Sequence, residues 1–381
     1  MKILHCCLSC FYIDNYNYQE NVIPRQNKVD GHEVLILAST ETYIDNKKLG
    51  YINASKYTNE DGINVVRIPY SSWLPHLMVR KIRAYKNVYR YISEFSPDVI
   101  LFHGAAAYEI IRVAMYKKKH PNVRIYVDSH EDFNNSARNF ISKEILHRMF
   151  YKNFLHKALP HIDKVLCISI ESYDFMKQFY EIPENKLELF PLGGMIFEGE
   201  EYLARRNHVR EALQLDERDI LFVHSGKMSR AKRTSDLLRA FKKIASNRFK
   251  LILIGSIPED TKEEILRFVE SDSRIKYLGW KTPDELLGYL CAADMYLQPG
   301  SQSATMQNAI CCGCPVMIYP HKSYEPYLKG NGFFVETVED MTNVFKTIES
   351  NPDILKEMSK ASYKIAYDLL DYRKLAARLY K

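Results

Sequence analysis

Apolar residues in this chain come in short, nearly unbroken runs, separated by longer stretches where they recur at helical intervals. Residues 3–8, 33–38, 64–68, 98–102, 123–127, 164–169 and 186–190 are such runs, each of strand length. Asp30-Gly31, Asp61-Gly62 and Ser96-Pro97 introduce three of them as turns. Residues 109–118 and 171–178 carry helical spacing between strands. Continuous apolar strands alternating with helices predict a parallel sheet covered on both faces. Ligands of such sheets sit beyond the carboxyl ends of the strands. His103, His130 and Gly193-Gly194 fall at such ends and are expected on one rim.

The pattern breaks over residues 198–218, where Glu200-Glu201, Arg205-Arg206 and Asp216-Glu217-Arg218 make the composition strongly charged. It then restarts, with strands at 220–223, 249–254, 275–278, 295–298, 316–319 and 333–335 and helices at 234–245 and 258–269. The charged stretch predicts the crossing between two domains. The expected architecture is α/β: two doubly wound, Rossmann-like domains, residues 1–200 and 201–365, facing a cleft, with residues 366–381 a final helix packing back toward the first. A length of 381 residues fits two cores, since single cores rarely grow past about 250–300 residues.

In the second half, the strand ending at Gln298 leads into a loop of small residues and hydroxyls that includes Ser301 and Ser303, and a helix opens near Thr305. A loop so poor in side chains exposes backbone N–H groups, which suit an anion. The strand 220–223 ends at His224-Ser225-Gly226-Lys227, and Lys232 follows shortly before a helix. That arrangement would set two cations against a diphosphate. Ser256 and Trp280 stand just past the next two strands, each after a glycine, where they could wall a nucleobase.

The net charge of +6 is mild, and its placement matters more. Residues 71–93 hold no acid and carry Arg80, Lys81, Arg83, Lys86 and Arg90 among Trp73, Leu77, Met78 and several tyrosines. Residues 138–164 repeat the mixture with Lys143, His147, Arg148, Lys152, His156 and Lys157. Both segments read as basic, aromatic helices able to rest on anionic lipid. Nothing accompanies the charge as a nucleic-acid motif, so nucleic acid is not an expected partner. No apolar run reaches the roughly 18–20 residues of a membrane span, and the short apolar N-terminus reads as a first strand rather than a signal peptide. A cytoplasmic protein, peripheral on the inner membrane face, is expected. Eight cysteines include C-x-x-C spacings at Cys7/Cys10 and Cys311/Cys314; they read as buried thiols, with no metal site and no cofactor.

Several stretches together resemble a known family. They are Gly31-His32-Glu33-Val34, Pro97-Asp98-Val99-Ile100 through His103-Gly104, Gly226-Lys227 with Lys232, Tyr277-Leu278-Gly279, Ala293-Asp294, and Asn308-Ala309 through Gly313-Cys314-Pro315-Val316. The chain is similar to the retaining nucleotide-sugar glycosyltransferases of family 4, with the GT-B architecture. The resemblance implies that Lys227 and Lys232 hold a donor diphosphate and that His130 stands near the transferred sugar as the catalytic-site histidine. The expected donor pocket comprises Gly226, Ser256, Trp280, Ser301, Ser303, Thr305 and Asn308, with His103 and Tyr18 as acceptor-side candidates. The partners would be a UDP- or GDP-sugar, itself a substrate and not a cofactor, and a lipid-linked or glycan acceptor of cell-surface polysaccharide or glycoconjugate synthesis. Two features depart from the family. Tyr16-Asn17-Tyr18-Gln19-Glu20 stands where a glycine pair is usual, and Gln307-Asn308 stands where the family has the second of two glutamates. Negative charge facing the sugar is thereby lost. A nucleotide-sugar epimerase on the same fold and a non-catalytic partner of an active transferase are the rival readings.

Overall fold

A computed structural model describes residues 1–44 and 48–381 of the chain. They form two compact units, Met1–Pro191 with Tyr372–Lys381, and Leu192–Asp371. From the sequence these crossings are expected at 200/201 and 365/366.

The first unit carries β1 (Lys2–Cys7), β2 (Glu33–Ser39), β3 (Glu41–Ile44), β4 (Lys48–Tyr51), β5 (Ser55–Thr58), β6 (Asn64–Ile68), β7 (Val99–Phe102), β8 (Arg124–Ser129), β9 (Lys164–Cys167) and β10 (Leu187–Leu189). Its main sheet runs β10-β9-β8-β7-β1-β2-β6-β5, with β3 and β4 pairing apart from it. All neighbours in the main sheet are parallel except β5, which lies antiparallel on β6 at the edge. The order reverses between β1 and β7, where the register sets Ile3 opposite Val99 and Cys6 opposite Phe102. That reversal opens the crevice where ligands of doubly wound sheets bind.

The second unit holds β11 (Ile220–Ser225), β12 (Phe249–Ile254), β13 (Ile275–Tyr277), β14 (Met295–Gln298), β15 (Val316–Ile318) and β16 (Gly332–Phe334). They run β13-β12-β11-β14-β15-β16, all parallel, and the order reverses between β11 and β14. Alternate residues of one strand face opposite ways. Leu221 and Val223 therefore join a core with Ile252, Ile254 and Tyr296, while Phe222 joins Leu251, Leu253, Phe241 and Phe345 on the other face. Both faces are buried, which is why these strands read as unbroken apolar runs.

Three sequence expectations are corrected. The charged stretch after residue 198 is a helix of the second unit, Gly199–Ala212, rather than a crossing. Its Arg206 and Arg210 both reach Asp294 just before β14, at 2.6 and 3.2 Å. Residues 71–93 are not one helix. Pro75 begins a helix at His76–Ile82, and a second follows at Val88–Phe95. Between them Arg83 and Asn87 take left-handed backbone, with φ of 55° and 59°, which no continuous helix accommodates. Finally, β3 to β5 and the helix Gln19–Val29 lie where no regular element was read. The strands are short and partly exposed, and the helix carries Pro24 inside it.

Candidate functional site

At the β11/β14 reversal three loops meet through their backbones. Gly226 N donates to Ile254 O at 2.9 Å, Gly255 N to Gly279 O at 2.7 Å, and Met228 N to Ser256 O at 2.9 Å. On the other side Ser301 N donates to Ala231 O at 2.8 Å. The approach is close enough to demand glycine. A Cβ on Gly255 would stand 2.1 Å from Gly226 O, and one on Gly300 would stand 2.3 Å from Ala231 O. The structure thus brings Gly226, Lys232, Ser256 and Ser301 to one rim. Trp280 follows Gly279 on the same side and is 59% exposed.

Lys232 is the outstanding charge there. It is 3% exposed, its stem lies against the bare backbone of Gly226, and burial lowers its pKa to about 8. No carboxylate of the described residues forms an ion pair with it, whereas Lys227 is exposed. His224 braces the loop from below. Its Nδ1 donates to Leu297 O at 2.7 Å, so its Nε2 accepts from the Thr234 hydroxyl at 2.9 Å. Burial, with Lys232 nearby, pushes His224 down to about 3, and the ring is neutral.

The loop after β14 is more self-satisfied than its sequence suggests. Ser303 N donates to the Tyr324 hydroxyl at 2.8 Å and Thr305 N to Ser303 Oγ at 3.3 Å. With Ser301 N also taken, the expected row of open N–H groups over Ser301, Ser303 and Thr305 is absent. The Ser303 hydroxyl is engaged as well, donating to Thr305 Oγ1 at 3.2 Å. Behind it, Gln307 accepts from Gly193 N at 2.8 Å, and Asn308 lies so close to Gly194 that a Cβ there would be 2.8 Å from its Oδ1.

In the first unit a line of polar side chains crosses the β1/β7 reversal. His5 Nε2 lies 2.9 Å from Asn27 Oδ1, and His5 Nδ1 lies 3.0 Å from His103 Nε2. His103 Nδ1 is 2.6 Å from Asp128 Oδ2. The other carboxylate oxygen of Asp128 accepts from Gly104 N at 2.6 Å and lies 3.5 Å from His130 Nε2. His103 was expected as an acceptor-side contact. It is 1% exposed, with Nε2 beside His5 and Nδ1 at ion-pair distance from Asp128, so it reaches the rim only through Asp128. The His130 side chain is 40% exposed. Burial pulls its pKa down, but the charge and hydrogen bond of Asp128 outweigh that and raise it to about 9. Asp128 resists its own desolvation and is held well below the usual carboxylate range by His103 and His130. Tyr18 is 45% exposed, with its ring 5.1 Å from that of Tyr16.

Two residues of this rim escaped sequence reasoning as site residues. Glu20 is 9% exposed, and burial raises its pKa against the pull of His103 and His130. Asp128 acquires a role only because β7 and β8 are neighbours. A polar residue ending an apolar strand was the one available signal. Among the described residues no cluster of three or more His, Cys, Asp and Glu is arranged to hold a metal. All eight cysteines are free thiols, and all but Cys10 are buried.

Two parallel-sheet units, each reversing its strand order beside a polar rim, define the GT-B class of fold. The family model described as Glycosyltransferase Family 4 matches residues 21–193, and the one described as Glycosyl transferases group 1 matches residues 205–365. The chain belongs to the family 4-like glycosyltransferases and is a glycosyltransferase. Solved structures agree in fold. A glycosyltransferase from Rickettsia africae has a TM-score of 0.68 at 13% identity, over 99% of this chain and 96% of that one. HepE from Anabaena, in complex with UDP, has 0.67 at 14%, over 99% and 98%. WaaG, a glycosyltransferase involved in lipopolysaccharide biosynthesis, has 0.62 at 14%, over 99% of each. No curated protein matches the chain significantly in sequence.

Proposed function

We propose that this glycosyltransferase moves a sugar from a UDP- or GDP-sugar to a lipid-linked or glycan acceptor, as a step in building a cell-surface polysaccharide or glycoconjugate. One observation carries the donor half of this reading: Lys232 is buried, lacks a carboxylate partner and lies against the uncovered backbone of Gly226. Burying a charge without a partner is costly, and an anionic ligand would supply the missing one. Lys232, with Lys227 beside it, would meet the charge that develops on the leaving diphosphate. A well-placed donor of this kind contributes roughly 3–4 kcal/mol. In this reading transfer needs no metal and retains the anomeric configuration, the latter following from the family resemblance. His130 contacts the sugar or the acceptor hydroxyl. The UDP in the HepE structure favours a uridine donor, and the pathway of WaaG favours a glycoconjugate acceptor.

An anionic membrane surface fits the acceptor half. Among the described residues no helix is long and apolar enough to cross a membrane. Leu77 and Met78, on the helix His76–Ile82, are 73% and 53% exposed. That helix touches the π-helical segment Ile141–Tyr151, which with Phe140 exposes Phe140, Ile141 and Met149 at 74%, 63% and 60%. Lys81, Lys143 and Arg148 are exposed in the same two segments. Apolar side chains interleaved with cations suit lipid headgroups. Arg80 and Arg83 from the expected basic set are instead engaged within the unit. Arg80 pairs with the buried Glu41 at 2.6 Å, and Arg83 donates to Ser9 Oγ at 2.6 Å.

A thermal-shift screen against nucleoside diphosphates and nucleotide sugars tests the donor reading, since a ligand of the folded state raises apparent stability. One nucleotide family should stabilise the chain, and its sugar conjugate should turn over in EDTA with the product anomer unchanged. No turnover with any nucleotide sugar, alongside a tight protein partner, would favour a non-catalytic subunit.

A further inference from the structure

The line of polar side chains through the first unit has a direction. His5, with a pKa pushed to about 3 by burial and by His103, is neutral and carries one ring proton. If His5 Nε2 holds that proton and donates to Asn27 Oδ1, His103 Nε2 must donate to His5 Nδ1. His103 then faces Asp128 as a full imidazolium or not as a donor at all. With the Asn27 amide turned about, its Nδ2 donates to His5 Nε2, His5 Nδ1 donates to His103 Nε2, and His103 Nδ1 carries the proton that faces Asp128 Oδ2 across 2.6 Å. This second order runs as one donor chain toward Asp128. It also gives a partner to Asn27 Nδ2, which is otherwise buried without one. Either order ends on Oδ2 of Asp128 and leaves its Oδ1 to Gly104 N and His130.

We propose that Asp128, locked by Asn27, His5 and His103, is a positioning residue that orients the His130 imidazole at the carboxyl end of β8 and supplies its counter-charge. The logic is that of a base oriented by a third group. A carboxylate serving the fold alone would need only Gly104 N and His103. Here it also lies within ion-pair distance of the one partly exposed histidine of the line. The other charges facing His130 are Glu20, from the helix Gln19–Val29, and Glu131, whose Oε2 accepts from His130 N at 3.1 Å. Both add to the pull of Asp128, and neither is a stronger influence than it. The role in catalysis rests on the reading of His130 given above; the positioning itself does not.

Histidine-labelled full-length protein, titrated by NMR with the His130 ring assigned through His130→Gln, separates the two. The wild-type ring should titrate well above the free value of about 6.5, and Asp128→Asn should lower its midpoint by at least about one pH unit, with Glu131→Gln lowering it less. A wild-type midpoint near the free value, or an equal midpoint in a folded Asp128→Asn, overturns the proposal. If Asp128→Asn does not fold, the double variant Glu20→Gln and Glu131→Gln decides: its His130 midpoint should stay well above the free value, and a fall to that value overturns the proposal. A shifted midpoint with an unshifted pH–rate profile for UDP release from the donor would remove His130 from catalysis and leave the positioning device standing.

Discussion

Lys232 is where a single side chain decides the most. It was legible in the sequence because a glycine, a basic residue, four further residues and a lysine follow an apolar strand. Its burial was not legible, because its stem lies against Gly226 while Gly300, from a loop distant in sequence, packs on its backbone only in the folded sheet. Burial places its pKa at about 8, below the roughly 10.4 of an unfolded lysine. The unfolded chain therefore binds more protons across that window, and stability should rise as pH climbs from about 8 toward 10. Ligand binding should run the other way. A diphosphate needs the charged form, so UDP affinity should fall above about pH 8, and binding there should take up a proton. Calorimetry in buffers of different ionisation enthalpy reads that proton directly; zero uptake at pH 8.5 would contradict the assignment. Asp128 shows the opposite case of legibility. It looked like the end of a strand, and its importance depends on His103 arriving from the neighbouring strand at 2.6 Å.

At the scale of elements, parallel strands read clearly because burial on both faces makes them apolar throughout, as in β11 and β14. Elements with mixed faces did not. The helix Gly199–Ala212 buries only Val209 fully and is otherwise charged, so its sequence looked like a linker. Electrostatics fasten it: Asp294 receives Arg206 and Arg210 and also accepts from Leu221 N at 2.7 Å. Three charge-assisted contacts on one carboxylate tie this helix to β11 and to the start of β14. Asp294→Ala should therefore cost about 3 kcal/mol, measured as a lowered denaturant midpoint with unchanged slope. A loss under about 0.5 kcal/mol, the usual range for a surface change, would show that apolar packing alone holds the helix. The basic segment misled for a related reason. Its composition was right for a helix, but Pro75 and the left-handed Arg83 and Asn87 cut it in two, which turned Arg80 and Arg83 toward partners in the same unit.

For the molecule as a whole, the alternation of strands and helices made two doubly wound units readable, and the family models fall on the corresponding halves. Which face is proposed to meet a membrane was only half readable, since exposure of Leu77, Phe140 and Met149 is a property of the fold. Removing a buried Leu or Met side chain from an apolar contact costs about 1.5–3 kcal/mol, so the pair Leu77→Glu and Met149→Glu should reduce co-flotation with anionic liposomes by at least about tenfold. Association indifferent to both changes and to salt would remove the membrane from the proposal. The central claim is that the second unit holds a nucleoside diphosphate on Lys232, and titration calorimetry of UDP against the wild-type chain and Lys232→Ala at pH 7 tests it most directly. Wild type should bind one UDP, and the variant, folded by its melting curve, should bind at least about tenfold more weakly, as expected for a lost charge-assisted contact; equal affinities, or no binding of UDP or GDP by the wild type, would contradict it.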